Sequence, residues 1–198
     1  MDKISMTYFV DFVLKAGTPR LTSVKEIKAN RDESFADFYR PLREAILDHL
    51  RSGLPPTSLD DFLRSLEDER RKRIYPVIVR GYQKFLAQSP ATWFEPPVGS
   101  LKMGTLDLNL NPELGLTIGG KPHLIKLYLR GEPLSAKRVS ITLNLMSQGN
   151  LARRVPGCAL AVLDVRKARL HTLDTANPRL GLLLRGEAAS FSTIYAAI

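Results

Sequence analysis

Residues 105–130 read TLDLNLNPELGLTIGGKPHLIKLYLR, and this stretch decides the fold of the second half of the chain. Leucines alternate with polar residues over residues 105–110, which is the period of a strand with one buried face. The pair Gly119-Gly120 separates the apolar runs of residues 114–118 and 123–129, at the spacing of a tight β-hairpin. The stretch therefore predicts three strands that lie side by side in one sheet.

The polar side chains of these strands are the candidate site residues. Asp107 lies on the face of the first strand opposite its leucines, and Glu113 precedes the second strand. Lys126, Tyr128 and Arg130 share one face of the third strand. Two cations beside an aromatic ring can contact phosphates and stack on an unpaired base, so these three residues are candidate nucleic-acid ligands. The same pattern fits a partly buried strand whose tyrosine packs under the next helix.

The sequence after these strands predicts a helix, two strands and a final helix. Residues 135–148 have apolar side chains at helical spacing, with Ser135 placed to cap the first turn. Residues 158–165 are almost wholly apolar, which is typical of a strand buried on both faces, and residues 168–173 continue as a second strand. A helix is predicted to start at Asn177-Pro178 and to run to the end of the chain, with two glycines that could divide it.

The first half of the chain is predicted to be helical. Residues 6–16 have apolar side chains at helical spacing, and Ser34 with Asp37 forms a capping box before a second helix. A second capping box at Ser58 opens a long helical pattern, which Pro76 should kink or split.

This order of elements predicts an α/β protein, α+β overall, with a helical N-terminal half and a C-terminal mixed sheet flanked by helices. Residues 1–88 form the helical region and residues 105–198 the α/β domain. Residues 89–104 contain three prolines and are predicted to be the connector. Trp93 within that connector carries enough apolar area to dock on a neighbouring element, so the two parts are expected to share an interface.

The net charge of +9 is confined to the C-terminal half. Residues 114–185 contain 12 lysines or arginines and 3 acidic residues, and the bases and acids of the remaining chain balance. A basic excess in one predicted domain favours a polyanionic partner, either DNA or RNA, although a solvated surface has the same composition.

Composition excludes several other classes of protein. Cys158 is the only cysteine and lies beside an apolar run, so neither an intramolecular disulfide nor a thiolate zinc cluster can form. The three histidines lack the spacing of a zinc site. A secretory signal pattern and a membrane-spanning apolar run are both missing, so a cytoplasmic protein that does not contact membranes is expected.

The order helix, three-stranded meander, helix, strand, strand, helix resembles the core of the PD-(D/E)XK nuclease-like superfamily over about the second half of the chain. The resemblance implies an acid on the second core strand and an acid two positions before a lysine on the third strand. In that family the two acids bind a divalent metal ion and the lysine assists the attacking water. The metal ion lowers the pKa of that water and stabilises charge on the phosphate.

This chain departs from the motif, because the position two residues before Lys126 is Leu124. Asp107 could take the role of the first acid, as could Glu113 if the strand register differs. Glu67 or Glu69 on the preceding helix could supply a displaced ligand. Each of these acids also fits an ordinary structural role, as a turn residue or as a solvated partner of nearby arginines.

Two functions are compatible with the sequence. One is a nucleic-acid-associated protein with a degenerate nuclease-like core that binds or regulates without cutting. The other is a protein-interaction or scaffold module with no nucleic-acid contact. A divalent-metal-dependent nuclease requires a rearranged site, so no cofactor is expected and Mg²⁺ is needed only in that case.

Overall fold

The computed structural model describes residues 3–29, 37–149, 151–173 and 177–198, and the chain has an α+β fold with a helical first half and a C-terminal sheet. The helices are α1 (Met6–Leu14), α2 (Thr18–Ala29), α3 (Arg40–Arg51), α4 (Ser58–Arg64), α5 (Glu69–Gln88), α6 (Ala136–Gln148), α7 (Leu151–Arg154) and α8 (Pro178–Ala197). The strands are β1 (Ile4–Ser5), β2 (Ala91–Phe94), β3 (Gly99–Met103), β4 (Leu106–Leu110), β5 (Leu114–Ile118), β6 (Lys121–Tyr128), β7 (Ala159–Asp164) and β8 (Arg169–Thr172).

The strands of the described residues form two mixed sheets. The larger sheet has the order β2-β5-β6-β7-β8, in which β6 and β7 are parallel and the other pairs are antiparallel. The smaller sheet has the order β1-β4-β3, with β1 parallel to β4. The predicted buried strand, β7, therefore lies inside the larger sheet, as the apolar run of residues 158–165 indicates.

The larger sheet is buried on both faces. On one face, Ile125, Leu127 and Leu163 pack with α3, α4 and α5. On the other face, Leu124 and Val162 join a second cluster formed by α1, α6, α8 and the leucines of β4. Adjacent residues of β6 thus contribute to opposite clusters, because side chains alternate along a strand. Each cluster combines side chains from both sides of residues 89–104.

Several boundaries predicted from local chemistry are confirmed. Ser135 caps α6 by accepting a hydrogen bond from the backbone N–H of Arg138 at 3.1 Å. Asn177 caps α8 by accepting from two backbone N–H groups of its first turn. Gly119-Gly120 joins β5 to β6, and both glycines have positive φ, which residues with a Cβ rarely adopt.

The prediction of three adjacent strands in one sheet is wrong for the first of them. β4 pairs with β3 and β1 in the smaller sheet, whereas β5 and β6 belong to the larger one. The two-residue turn at Gly104-Thr105 connects β3 directly to β4, and Gly104 has the positive φ that such a turn requires. The alternation of residues 105–110 correctly gives the buried face, but it carries no information about which strand lies alongside.

The predicted connector, residues 89–104, forms β2 and β3. β2 pairs antiparallel with β5 and takes the place in the larger sheet that had been expected for residues 105–110. Trp93 and its neighbours are aromatic or β-branched, a composition that favours a strand over a loop.

The long helix predicted from Ser58 onward is two helices, and the break does not lie at Pro76. α4 ends before Ser65, and Asp68 starts α5 by accepting a hydrogen bond from the N–H of Arg71. Pro76 lies inside α5. The capping box at Ser58 is also wrong, because the helix begins there without a side-chain cap. The box predicted at Ser34 lies outside the described residues.

α8 runs as one helix, so Gly181 and Gly186 do not divide the tail. Within the described ranges, no helix combines the length and apolar character needed to span a bilayer.

His49 provides a pH-dependent contact in the helical layer. It is buried at the end of α3, with Nδ1 3.3 Å from the hydroxyl of Ser58 and the ring edge-on to Tyr82. Burial lowers the pKa of His49, an effect that its backbone hydrogen bond to Pro55 only partly opposes.

A lowered pKa means that the unfolded chain binds a proton more readily than the folded chain. We expect this contribution to stability to be present above about pH 6.5, the ordinary histidine value, and to be lost as the pH falls below it. Urea unfolding at several pH values checks this: His49→Gln should weaken the loss of stability towards acid pH. An equal loss in both proteins would contradict the assignment to His49.

Candidate functional site

Lys126, Tyr128 and Arg130 line one groove of about 620 Å³, as does Glu113. One side of the groove is formed by the start of α1, residues 37–39 and the length of α3. The rest comes from the loop between β2 and β3, the loop between β4 and β5, the end of β6 with the residues after it, and Arg138 of α6. Asp107 does not line it. The fold therefore brings the three predicted nucleic-acid ligands together with Glu113. Asp107, the other predicted strand acid, lies outside this groove.

Lys126 and Glu113 form an ion pair at the base of the groove. Nζ of Lys126 lies 2.6 Å from Oε1 of Glu113 and also donates to the backbone oxygen of Asn111 at 3.1 Å. Oε2 of Glu113 accepts from the backbone N–H of Leu127 at 2.9 Å. The side chains of the pair are only 15% and 14% exposed. Lys126 is thus engaged within the protein and does not present a free ammonium group, contrary to what its position on the strand predicts.

Arg130 and Arg138 share a single carboxylate, that of Asp11 in α1. Arg138 lies 2.7 Å from Oδ1 of Asp11, and Arg130 donates to both carboxylate oxygens. Burial opposes the charged form of Arg130, but the hydrogen bond and the charge of Asp11 leave the pKa of its guanidinium raised. The two guanidinium groups carry one more charge than Asp11 balances, and the charge of Glu132 also acts on Arg130. The side chain of Arg130 is 37% exposed.

Tyr128 is packed and does not offer its ring to a ligand. It is 8% exposed, its hydroxyl donates to the backbone oxygen of Glu132 at 2.9 Å, and the guanidinium of Arg138 lies 5.8 Å from its ring centre. The exposed aromatic residue of the groove is instead Tyr8 of α1, which is 47% exposed. Tyr8 and Asp11 are three residues apart and so lie on the same face of α1, next to the arginine pair.

Sequence reasoning did not identify Asp11 or Tyr8. Asp11 is the only charged residue in the apolar stretch of residues 4–14, and a lone charge in such a stretch is a signal that it has a partner in the folded protein. Its partners Arg130 and Arg138 lie more than one hundred residues away, so no local pattern points to them.

The acids predicted as metal ligands do not converge. Asp107 faces Lys102 across the β3–β4 ladder, and Glu69 pairs with Lys72 on the exposed start of α5. Glu67 is exposed beside it. Leu124, where the nuclease motif has its second acid, is fully buried in the cluster beneath α6. In the described part of the chain, no three acids, histidines or cysteines lie close enough together to hold a metal ion.

Each carboxylate that lines the groove in the described part of the chain is paired with a base. Glu113 pairs with Lys126, Asp37 with Arg43, and Glu95 with Arg51 at 2.8 Å. The hydrogen bond from Arg51 lowers the pKa of Glu95. A hard cation such as Mg²⁺ requires clustered oxygen ligands, and these carboxylates are already occupied by cations. The groove is therefore suited to contact anions through its arginines more than to bind a metal ion.

Comparisons of the chain with protein-family models, with curated proteins and with solved structures give no match.

Replacing Lys126 should destabilise the protein, because Glu113 would keep its charge at a site that is only 14% exposed. We expect Lys126→Ala to lower the free energy of unfolding by about 2–3 kcal/mol, the range for loss of a charged hydrogen bond. Lys121→Ala, at an exposed position of the same strand, is the control and should change stability by less than about 0.5 kcal/mol. Urea denaturation measures both variants, and equal stability of the two would show that the Glu113 pair contributes nothing.

Proposed function

We propose that the protein binds single-stranded nucleic acid in this groove and does not cut it. The observation that carries the proposal is the arrangement of Arg130 and Arg138 around Asp11, one helical turn from the exposed ring of Tyr8. Guanidinium groups donate paired hydrogen bonds to phosphate oxygens. An exposed aromatic ring stacks on an unpaired base, whereas the bases of a duplex are already stacked on each other.

The order of elements supports a nuclease-like origin for this binding site. α5, β2, β5, β6, α6 and β7 follow in the order helix, three-stranded meander, helix, parallel strand, with the β3–β4 hairpin inserted after β2. In this alignment β5 is the second core strand, so Glu113 at its start takes the position of the first acid and touches Lys126. Leu124 takes the position of the second acid. On this proposal, the chain retains one acid and the lysine of the nuclease motif, and it lacks the second carboxylate that would complete a metal site.

The direct test is to measure binding and cutting in the same samples. Fluorescence anisotropy with labelled single-stranded and double-stranded DNA and RNA gives affinity, and gel electrophoresis after incubation with Mg²⁺ or Mn²⁺ gives cleavage. We expect the chain to prefer single strands and to leave every substrate intact, because a lone Glu113 paired with Lys126 cannot hold and orient a hydrated metal ion.

Two results would contradict the proposal. Cleavage by the native chain that Glu113→Gln and Lys126→Ala both abolish would establish a rearranged but working metal site. Absence of binding to any nucleic acid at low salt would favour the alternative function, a protein-interaction module without nucleic-acid contact.

A further inference from the structure

A second concave site lies on another part of the surface, between the β3–β4 turn and residues 185–193 of α8. It has a volume of about 680 Å³. The turn side is formed by Lys102, Gly104 and Thr105, and the helix side includes Arg185 and Ser192. None of these residues lines the groove described above. This second site is called the α8 groove below.

The charges of the α8 groove differ from those of the first groove. Among the described residues, its lining contains two cations, Lys102 and Arg185, and no carboxylate. Both cations are exposed, and neither has an ion pair among the described residues. Asp107 is opposite Lys102 in the strand ladder and does not line the groove. The described lining therefore places two positive charges, and no carboxylate, beside the same concave space.

Hydroxyl groups add hydrogen-bonding capacity to the α8 groove. The hydroxyl of Ser192 is buried without a hydrogen-bond partner in the part of the chain that the structure describes. Ser192 is itself one of the residues that line the groove. Thr105 lines the opposite side and Thr193 the same side. An unsatisfied buried hydroxyl is unfavourable, so a ligand oxygen that accepted a hydrogen bond from it would satisfy the hydroxyl without breaking a bond among the described residues.

We infer that the α8 groove binds a phosphate group. A guanidinium fork, an ammonium group and a hydroxyl present donors in different directions, which suits a tetrahedral oxyanion with several acceptor oxygens. The two positive charges of the lining suit a dianion. A carboxylate would leave part of this donor set unused, because it has only two oxygens. The inference does not depend on the nucleic-acid groove, since the two sites share no residue.

The experiment titrates the full-length chain with inorganic phosphate and follows backbone amide signals by NMR. We expect saturable shifts at Gly104, Thr105, Ser192 and Thr193. Lys102→Gln and Arg185→Gln should each weaken binding about tenfold, the effect of losing one charge-assisted hydrogen bond. Arg179→Gln removes the same charge from an exposed position of α8 outside the groove and should leave the affinity unchanged.

Ser192→Ala separates a binding role from a structural one. It removes a hydroxyl that has no hydrogen-bond partner among the described residues, so we expect unchanged or higher stability together with a several-fold weaker affinity for phosphate. Displacement of inorganic phosphate by a 5′-phosphorylated dinucleotide, and not by its 5′-hydroxyl form, would identify a nucleic-acid end as the source of the phosphate. Displacement by neither would identify free phosphate. The inference is overturned if phosphate causes no saturable shifts, or if Arg179→Gln weakens binding as much as Arg185→Gln.

Discussion

Gly81→Ala should lower the free energy of unfolding by about 3 kcal/mol or more, even though alanine favours helices over glycine by up to about 1 kcal/mol. Gly81 lies in α5 where the helix packs on the 3₁₀ turn Val165–Lys167 that follows β7. A Cβ at this position would overlap the carbonyl oxygen of Val165 and lie 3.0 Å from its carbon. The atoms that the new Cβ would meet belong to the backbone of Val165 and Arg166, so no side-chain rotation can relieve the clash.

Gly186→Ala is the matched control for this substitution. Gly186 also lies inside a long helix, α8, but a Cβ there meets no atom within 4 Å. We expect it to raise the free energy of unfolding by about 0.5–1 kcal/mol through helix propensity alone. Chemical denaturation of both variants measures the contrast. If the Gly81→Ala protein were as stable as the Gly186→Ala protein, α5 would not pack closely against the turn Val165–Lys167.

The largest effect on binding is expected from the triple variant Asp11→Asn, Arg130→Gln, Arg138→Gln. It removes the two guanidinium groups that share Asp11, and Asp11 is neutralised at the same time so that its carboxylate is not left without a partner. We expect affinity for a single-stranded oligonucleotide at about 50 mM salt to fall about 10- to 100-fold. Fluorescence anisotropy gives the affinity, and circular dichroism confirms the fold.

Lys84→Gln controls for net charge. The triple variant loses two positive charges and one negative charge, so its net charge falls by one, as it does in Lys84→Gln. Lys84 is exposed on α5 and does not line the groove. We expect its affinity for the oligonucleotide to change by less than about twofold. Equal weakening by the two variants would show that binding follows overall charge and not the arginine pair.

The sequence predicts those parts of the fold that local chemistry determines. Ser135 and Asn177 start their helices as their side chains dictate, and the Gly119-Gly120 turn joins its two strands. β7 is buried because its residues are apolar on both faces. The partner of β4 could not be predicted, because alternation specifies a face and leaves the choice between β3 and β5 to tertiary packing. α2 was not predicted, since only Ser23 and Val24 of its residues are buried and it has little apolar periodicity.

In the candidate site, too, the local strand pattern could be predicted and the tertiary contacts could not. The sequence predicts a common face for Lys126 and Arg130 from their spacing, and in the fold both line one groove, with Arg130 two residues beyond the end of β6. Whether their charged groups are free to bind a ligand could not be predicted from the sequence. It depends on ion pairs with Glu113 and Asp11, which lie on other elements of the fold. The sequence predicts Tyr128 as the aromatic residue that stacks on a base, because it lies between the two cations. In the fold that ring is buried, and Tyr8 from α1 is the exposed aromatic residue of the groove.

The salt dependence of oligonucleotide binding tests the central claim most directly, because only phosphate contacts release counterions. For the native chain we expect the logarithm of affinity for single-stranded DNA to fall linearly with the logarithm of salt concentration. In the triple variant at Asp11, Arg130 and Arg138, the slope should be smaller by about 1.4, which corresponds to two lost contacts to a single strand. Identical slopes for the native chain and the triple variant, or no binding by the native chain at about 50 mM salt, would contradict the claim that this groove binds nucleic acid.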